Sequence, residues 1–453
     1  MSVRVSLTVR GAVGLAAIAL AYLFIERDDE QVVDDANSSA PEFVRDVQQI
    51  NTAAEQSHDP SPSEDGDDSL VTELHQQALA ALNEQSYQLA FELAQEIYLI
   101  DDSPSNAIAV NASRIAGYWA NDLQSHYRPN SALLVWRQAI EWHHDTGHPQ
   151  LSLARLLLRG AKVAEALVIV EEALVEFPDN SKLLALRADI ASLQGEADLA
   201  VKFLSAALAI DSANSYYATR LEQLKIEALA FTDYLSVSTA HFESSFDSQN
   251  RSMVRNIDDL QQDLERAWSD ISGILGIQND IQIVVLWLDK KDYQVQAPDW
   301  SAGIYDGRIR IVVDDYPERR PQLLATLKHE LTHALLHSTG IQFPTFLQEG
   351  LAQLYEPRDV DAIREAYLLE DIPSLIDLQG AWTTWTDTDR VRSAYAYSVS
   401  LCDFTRERYG ENSFRLLFDN MRHSNLKAAW AATFGDTLDD TDALHRKLLL
   451  QDN

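Results

Sequence analysis

One spacing restricts the fold of this chain more than any other, a repeat of small and apolar residues with a 34-residue period. The run Val170-Glu171-Glu172-Ala173-Leu174-Val175-Glu176-Phe177 lines up with Leu204-Ser205-Ala206-Ala207-Leu208-Ala209-Ile210-Asp211, an offset of 204 − 170 = 34 residues. In the same register Ala154, Ala166 and Ala173 return as Ala188, Ala200 and Ala207. Small residues at these points let two antiparallel helices approach closely, and each pair can bury its apolar face only by stacking on the next. Helical periodicity, rich in Ala and Leu, is predicted over residues 70–230.

An earlier unit, residues 71–104, keeps Ala78 and Ala90 in phase, with Tyr87 near the start of its second helix. Pro178 stands at the closing turn of one later unit, where Ser212 stands in the next. These segments resemble tetratricopeptide repeats, while residues 106–146 fit the pattern poorly. The resemblance implies either a rigid helical spacer or a concave surface that binds a peptide or partner protein.

At 453 residues the chain is expected to be multi-domain. Arg4 and Arg10 precede an uncharged apolar run, residues 11–25, that stops at Glu26-Arg27-Asp28-Asp29-Glu30. This layout is expected to be an uncleaved signal anchor at residues 1–25, or alternatively a cleaved signal. It predicts a single-pass inner-membrane protein with its bulk in the periplasm, touching the membrane through that segment. Residues 26–69 are acidic and polar and read as a disordered tether. With 70 Asp and Glu against 36 Lys and Arg, a nucleic-acid partner is excluded, since phosphate binding needs clustered cations. Cys402 is the only cysteine, so no disulfide forms within the chain.

Chemistry concentrates in residues 231–453. Residues 234–242 and 281–288 read as strands, and residues 252–275 as an amphipathic helix. After Asp306-Gly307, the run Arg308-Ile309-Arg310-Ile311-Val312-Val313 alternates charged and apolar residues, as an edge or half-exposed strand would. Then comes Leu327-Lys328-His329-Glu330-Leu331-Thr332-His333-Ala334, an H-E-x-x-H pattern on a helix predicted over 321–338. Histidines four residues apart project from one helix face and can share a tetrahedral Zn²⁺. Glu330 beside them can take a proton from a zinc-bound water.

The motifs Ala302-Gly303-Ile304-Tyr305-Asp306-Gly307, His329-Glu330-Leu331-Thr332-His333, Gln348-Glu349-Gly350-Leu351-Ala352 and Ala394-Tyr395-Ala396-Tyr397 together resemble a gluzincin-type, peptidase-MA-like zinc metalloprotease domain. The resemblance implies Glu349, on a second helix after the link 338–344, as third ligand, with a fourth position for water. His337 is the other candidate third ligand, but a straight helix cannot wrap three histidines around one tetrahedral ion. It further implies that the strand at 308–313 holds an extended substrate by β-augmentation, and that Tyr395 or Tyr397 stabilises an oxyanion, unless both only pack the core. Gln348 stands where the family often has Asn, which questions the hydrogen bond that orients a ligand histidine.

The expected fold class is therefore all-α tetratricopeptide-like helical repeats followed by an α+β zincin-like metalloprotease domain. The expected function is that of a zinc endopeptidase acting outside the cytoplasm on a protein or peptide, with the repeats recruiting substrate or a protein partner. The alternative is a non-catalytic scaffold whose protease-like region is a docking platform.

Overall fold

The computed structural model describes residues 67–449, apart from 127, 143–146, 232, 279–281, 295–301, 315, 317, 358 and 369–371. The described residues form nineteen helices, 72% of these residues being helical, with a small mixed sheet. The expected segment 1–25 and all but the last three residues of the expected tether 26–69 lie outside the described residues. Residues 67–69 instead begin the first helix.

Nine helices come first: α1 (Asp67–Asn83), α2 (Tyr87–Ile100), α3 (Asn106–Ser125), α4 (Pro129–Trp142), α5 (His148–Arg159), α6 (Val163–Glu176), α7 (Ser181–Leu193), α8 (Ala197–Ile210) and α9 (Ser215–Ala230). Helices α6 and α8 start at residues 163 and 197, again 34 apart. Asn180 and Asn214, in the same register, cap α7 and α9 with side-chain oxygens that accept backbone N–H groups of the first turn. Ala154, Ala166, Ala188, Ala200 and Ala207 are fully buried. The poorly fitting stretch continues the helical array, with a longer α3 whose Ala116 and Ala120 pack beside Ala132 and Ala139 of α4.

The sheet follows: β1 (Tyr234–Ser238), β2 (Phe242–Asp247), α10 (Arg251–Leu275), β3 (Ile283–Leu288), α11 (Lys290–Gln294), β4 (Gly303–Tyr305) and β5 (Ile309–Val312). Strand order is β1-β2-β3-β5-β4, with β2, β3 and β5 parallel and the two outer strands antiparallel to their neighbours. This corrects the sequence expectation: β5 is interior and β4 is the edge. Ile309 and Ile311 enter the main core with Leu327, Leu331 and Leu335. On the opposite face Leu286, Leu288 and Ile304 pack with Tyr293 and Phe231. Arg308 and Arg310 are buried as well, so their alternation does not mark a solvent face.

Helices α12 (Arg320–Ser338), α13 (Thr345–Leu354), α14 (Val360–Tyr367), α15 (Leu375–Gln379), α16 (Thr388–Tyr409), α17 (Ser413–Met421), α18 (Leu426–Phe434) and α19 (Leu438–Leu449) complete the fold. The expectation of a single-pass inner-membrane protein with its bulk in the periplasm is corrected: among the described residues no helix is long and apolar enough to cross a membrane. A span needs about 20 largely apolar residues, whereas the longest helix, α10, carries Arg255, Asp258, Asp259, Asp263 and Arg266 along its length. No membrane location is assigned.

Candidate metal centre

Helix α12 is set by its anchors before its chemistry. Pro321 lies in its first turn, where a missing N–H costs nothing. Arg320 clamps the buried Asp263 of α10 with Nε–Oδ2 and Nη2–Oδ1 contacts of 2.8 and 2.5 Å. Leu323, Leu327, Leu331 and Leu335 bury one side of the helix in the core. That leaves His329 and His333 on a shared side, ring centroids 4.9 Å apart.

Helix α13 delivers Glu349 to them because Gly350 lets it lie against α16. A Cβ at Gly350 would fall 2.5 Å from the Ser398 carbonyl oxygen and 2.6 Å from Cys402 Sγ. Glu349 Oε2 lies 3.6 Å from His329 Nε2 and 3.7 Å from His333 Nε2. One ligand atom from each of the three residues lies within 4.8 Å of the others, so the set could hold a metal ion. Tetrahedral zinc with bonds near 2.1 Å spaces its ligand atoms by about 3.4 Å, close to these separations. Both ring nitrogens of His333 are buried and make no hydrogen bond in the protein. Such groups are costly to leave unsatisfied, and a metal would satisfy Nε2.

His329 donates from Nδ1 to Glu356 Oε1 at 2.6 Å, which turns the Nε2 lone pair toward Glu349 and His333. Glu356 just past α13 is the ligand-orienting group that sequence reasoning missed; its one signal is a carboxylate two helical turns after Glu349. Gln348 does other work, donating to the Phe343 carbonyl at 2.8 Å and closing the link before α13. Burial draws His329 down, but Glu349 and Glu356 outweigh it and hold the imidazole well above its ordinary range. Burial lowers His333 to about 4.

Glu330 is buried beside the histidines. Burial pushes its carboxyl up to about 7, with Glu349 and Glu356 adding to the rise and His329 opposing it. The Tyr305 backbone N–H donates to this carboxylate. Gly303 allows the approach, since a Cβ there would lie 3.1 Å from Glu330 Cγ. A carboxyl poised near 7 can accept and return a proton at neutral pH.

The two candidate tyrosines separate. Tyr395 faces Glu349, and burial first, then the Glu349 and Glu330 charges, raise its phenol well above the usual range. Tyr397 instead donates to Asp442 Oδ1 at 2.6 Å, away from the ligands. His337 is not in the ligand set; its Nδ1 shares a 2.6 Å hydrogen bond with the Tyr305 hydroxyl.

Fold and site thus define an α-rich chain with a small mixed sheet and a largely buried His-His-Glu set able to hold a metal. No protein-family model matches the chain, and no curated protein matches it.

Proposed function

We propose that this chain is a zinc-dependent peptidase whose metal ligands are His329, His333 and Glu349. The convergence of three ligand atoms within 4.8 Å, with Glu330 buried alongside, carries the reading. Two imidazoles and one carboxylate favour Zn²⁺ over the harder cations, which take oxygen ligands. Bound there, Zn²⁺ supplies a Lewis acid that polarises a carbonyl and acidifies water.

Glu330 takes a proton from the attacking water and passes it to the leaving amine. Tyr395 offers its phenol to the charge that develops on the carbonyl oxygen. The edge strand β4, beside Glu330, receives the substrate backbone in extended form. These roles follow the gluzincin resemblance of the sequence motifs, and the helical array, in its tetratricopeptide-like reading, would engage a protein or peptide substrate or partner.

The decisive comparison uses the full chain and its E330Q variant. The expected wild type carries one zinc per chain and cleaves a peptide library until chelated. E330Q is expected to keep its zinc and lose about 10²-fold or more in rate. A zinc-free protein, or equal turnover by both forms, refutes the proposal.

A further inference from the structure

The β4–β5 hairpin is held by a buried charge cluster that the peptidase chemistry does not use. Glu227 on α9, the last helix of the array, is only 3% exposed. Its Oε1 lies 2.7 Å from Arg308 Nη1, and its Oε2 lies 3.9 Å from Arg310 Nη2. Arg310 also contacts Asp306 at 2.8 Å. Two guanidinium groups thus face two carboxylates, Asp306 at the partly exposed edge and Glu227 in the buried interior, and the buried one comes from the helical array. A second contact reinforces this one: a Cβ at Gly307 in the hairpin turn would fall 2.4 Å from Leu193 Cδ2, at the end of α7.

The hairpin connects this cluster to the site. Arg310 of β5 pairs in register with Ile304 of β4, and Tyr305 pairs with Ile309. Tyr305 in turn donates its N–H to Glu330 and holds His337 through its hydroxyl. Removing one member of a buried ion pair leaves an uncompensated charge, which is far more costly than removing both members. The arginines can relieve that cost only by reaching water, and they carry the hairpin with them.

We propose that Glu227 is a positioning residue for the edge strand beside Glu330, so that the helical array, from the sheet face opposite α12, helps to set the strand that receives an extended peptide. The part concerning substrate rests on the peptidase reading; the positioning itself does not. Cutting the chain before residue 231 would leave Arg308 and Arg310 without their partner on α9.

The test compares the full-length wild type with E227Q and with E227Q/R308M, which removes both charges of the closest pair. In E227Q, amide exchange in peptides covering 302–312 is expected to accelerate about tenfold or more, with α12 unchanged. Zinc content stays the same, and KM for an extended peptide rises while kcat changes little. In the double variant exchange returns toward wild type, because Asp306 still balances Arg310.

Unchanged exchange in a folded E227Q overturns the inference, as does a hairpin equally loose in the double variant. Should E227Q not fold, the double variant alone decides: wild-type exchange supports the positioning role and a loose hairpin refutes it. A wild type that cleaves nothing would sink the peptidase reading, yet exchange would still report on Glu227.

Discussion

Replacing Glu356 by Ala isolates how much the proposed metal centre depends on a residue that would not touch the metal. The Glu356 carboxylate accepts from His329 Nδ1 at 2.6 Å, and both side chains are largely buried, at 5% and 12% exposure. Truncation leaves the imidazole free to rotate and strips a buried N–H of its acceptor. Loss of such an orienting partner typically weakens metal binding 10–100-fold, or about 1.4–2.7 kcal/mol. E356Q keeps an acceptor at the same reach and loses only the charge, so its zinc affinity is expected to fall by less than about tenfold, below the usual cost of losing the partner altogether. The assay is competition for zinc against a chromogenic chelator in the full chain, with circular dichroism to confirm the fold. A folded E356A with wild-type affinity would refute the orienting role. An equal loss in E356Q and E356A would assign the effect to charge instead of geometry.

Acid should act through Glu227. Burial alone would raise this carboxyl, but Arg308 and Arg310 outweigh it and hold it down from 4.5 to about 2. A depressed folded value stabilises above the unfolded one, so the contribution is complete above pH 4.5 and is lost as pH falls through about 2. The difference amounts to roughly 3 kcal/mol. Urea midpoints between pH 5 and pH 2, taken as about the bounds of that window, should fall more steeply in wild type than in E227Q; parallel curves would refute the assignment. Gly350→Ala should separate α13 from α16, because its Cβ meets the Ser398 backbone at 2.5 Å. An overpacking cost of about 1–3 kcal/mol predicts a melting temperature lower by several degrees, together with weaker zinc binding as Glu349 shifts. An unchanged melting curve would show that the helices are not so close.

Much of this was legible because it is local. The four-residue spacing of His329 and His333 needs only a helix, and the 34-residue register of Ala166 with Ala200 needs only antiparallel pairs. The helix carrying H-E-x-x-H was expected over 321–338 and spans Arg320–Ser338. Tyr395 and Tyr397, in contrast, are two positions apart on one helix and therefore about 200° apart around it. Nothing in the run Ala394-Tyr395-Ala396-Tyr397 says which faces the ligands, because the choice is made by Glu349 on one side and Asp442 on the other.

The strand at 308–313 shows the same division most clearly. Its alternation correctly marked a strand with two unlike faces, since side chains alternate with period two whatever covers them. Whether the charged face met water was decided by α9, which brings Glu227 to Arg308 from 81 positions earlier (308 − 227). Sequence period reports the geometry of a segment with itself, and so it determined the helices, the strands and the paired histidines. Burial of a charge depends on which distant group arrives to balance it. The tertiary structure alone therefore decided that β4 is the edge, that Glu356 orients His329, and that α9 brings Glu227 to the β4–β5 hairpin.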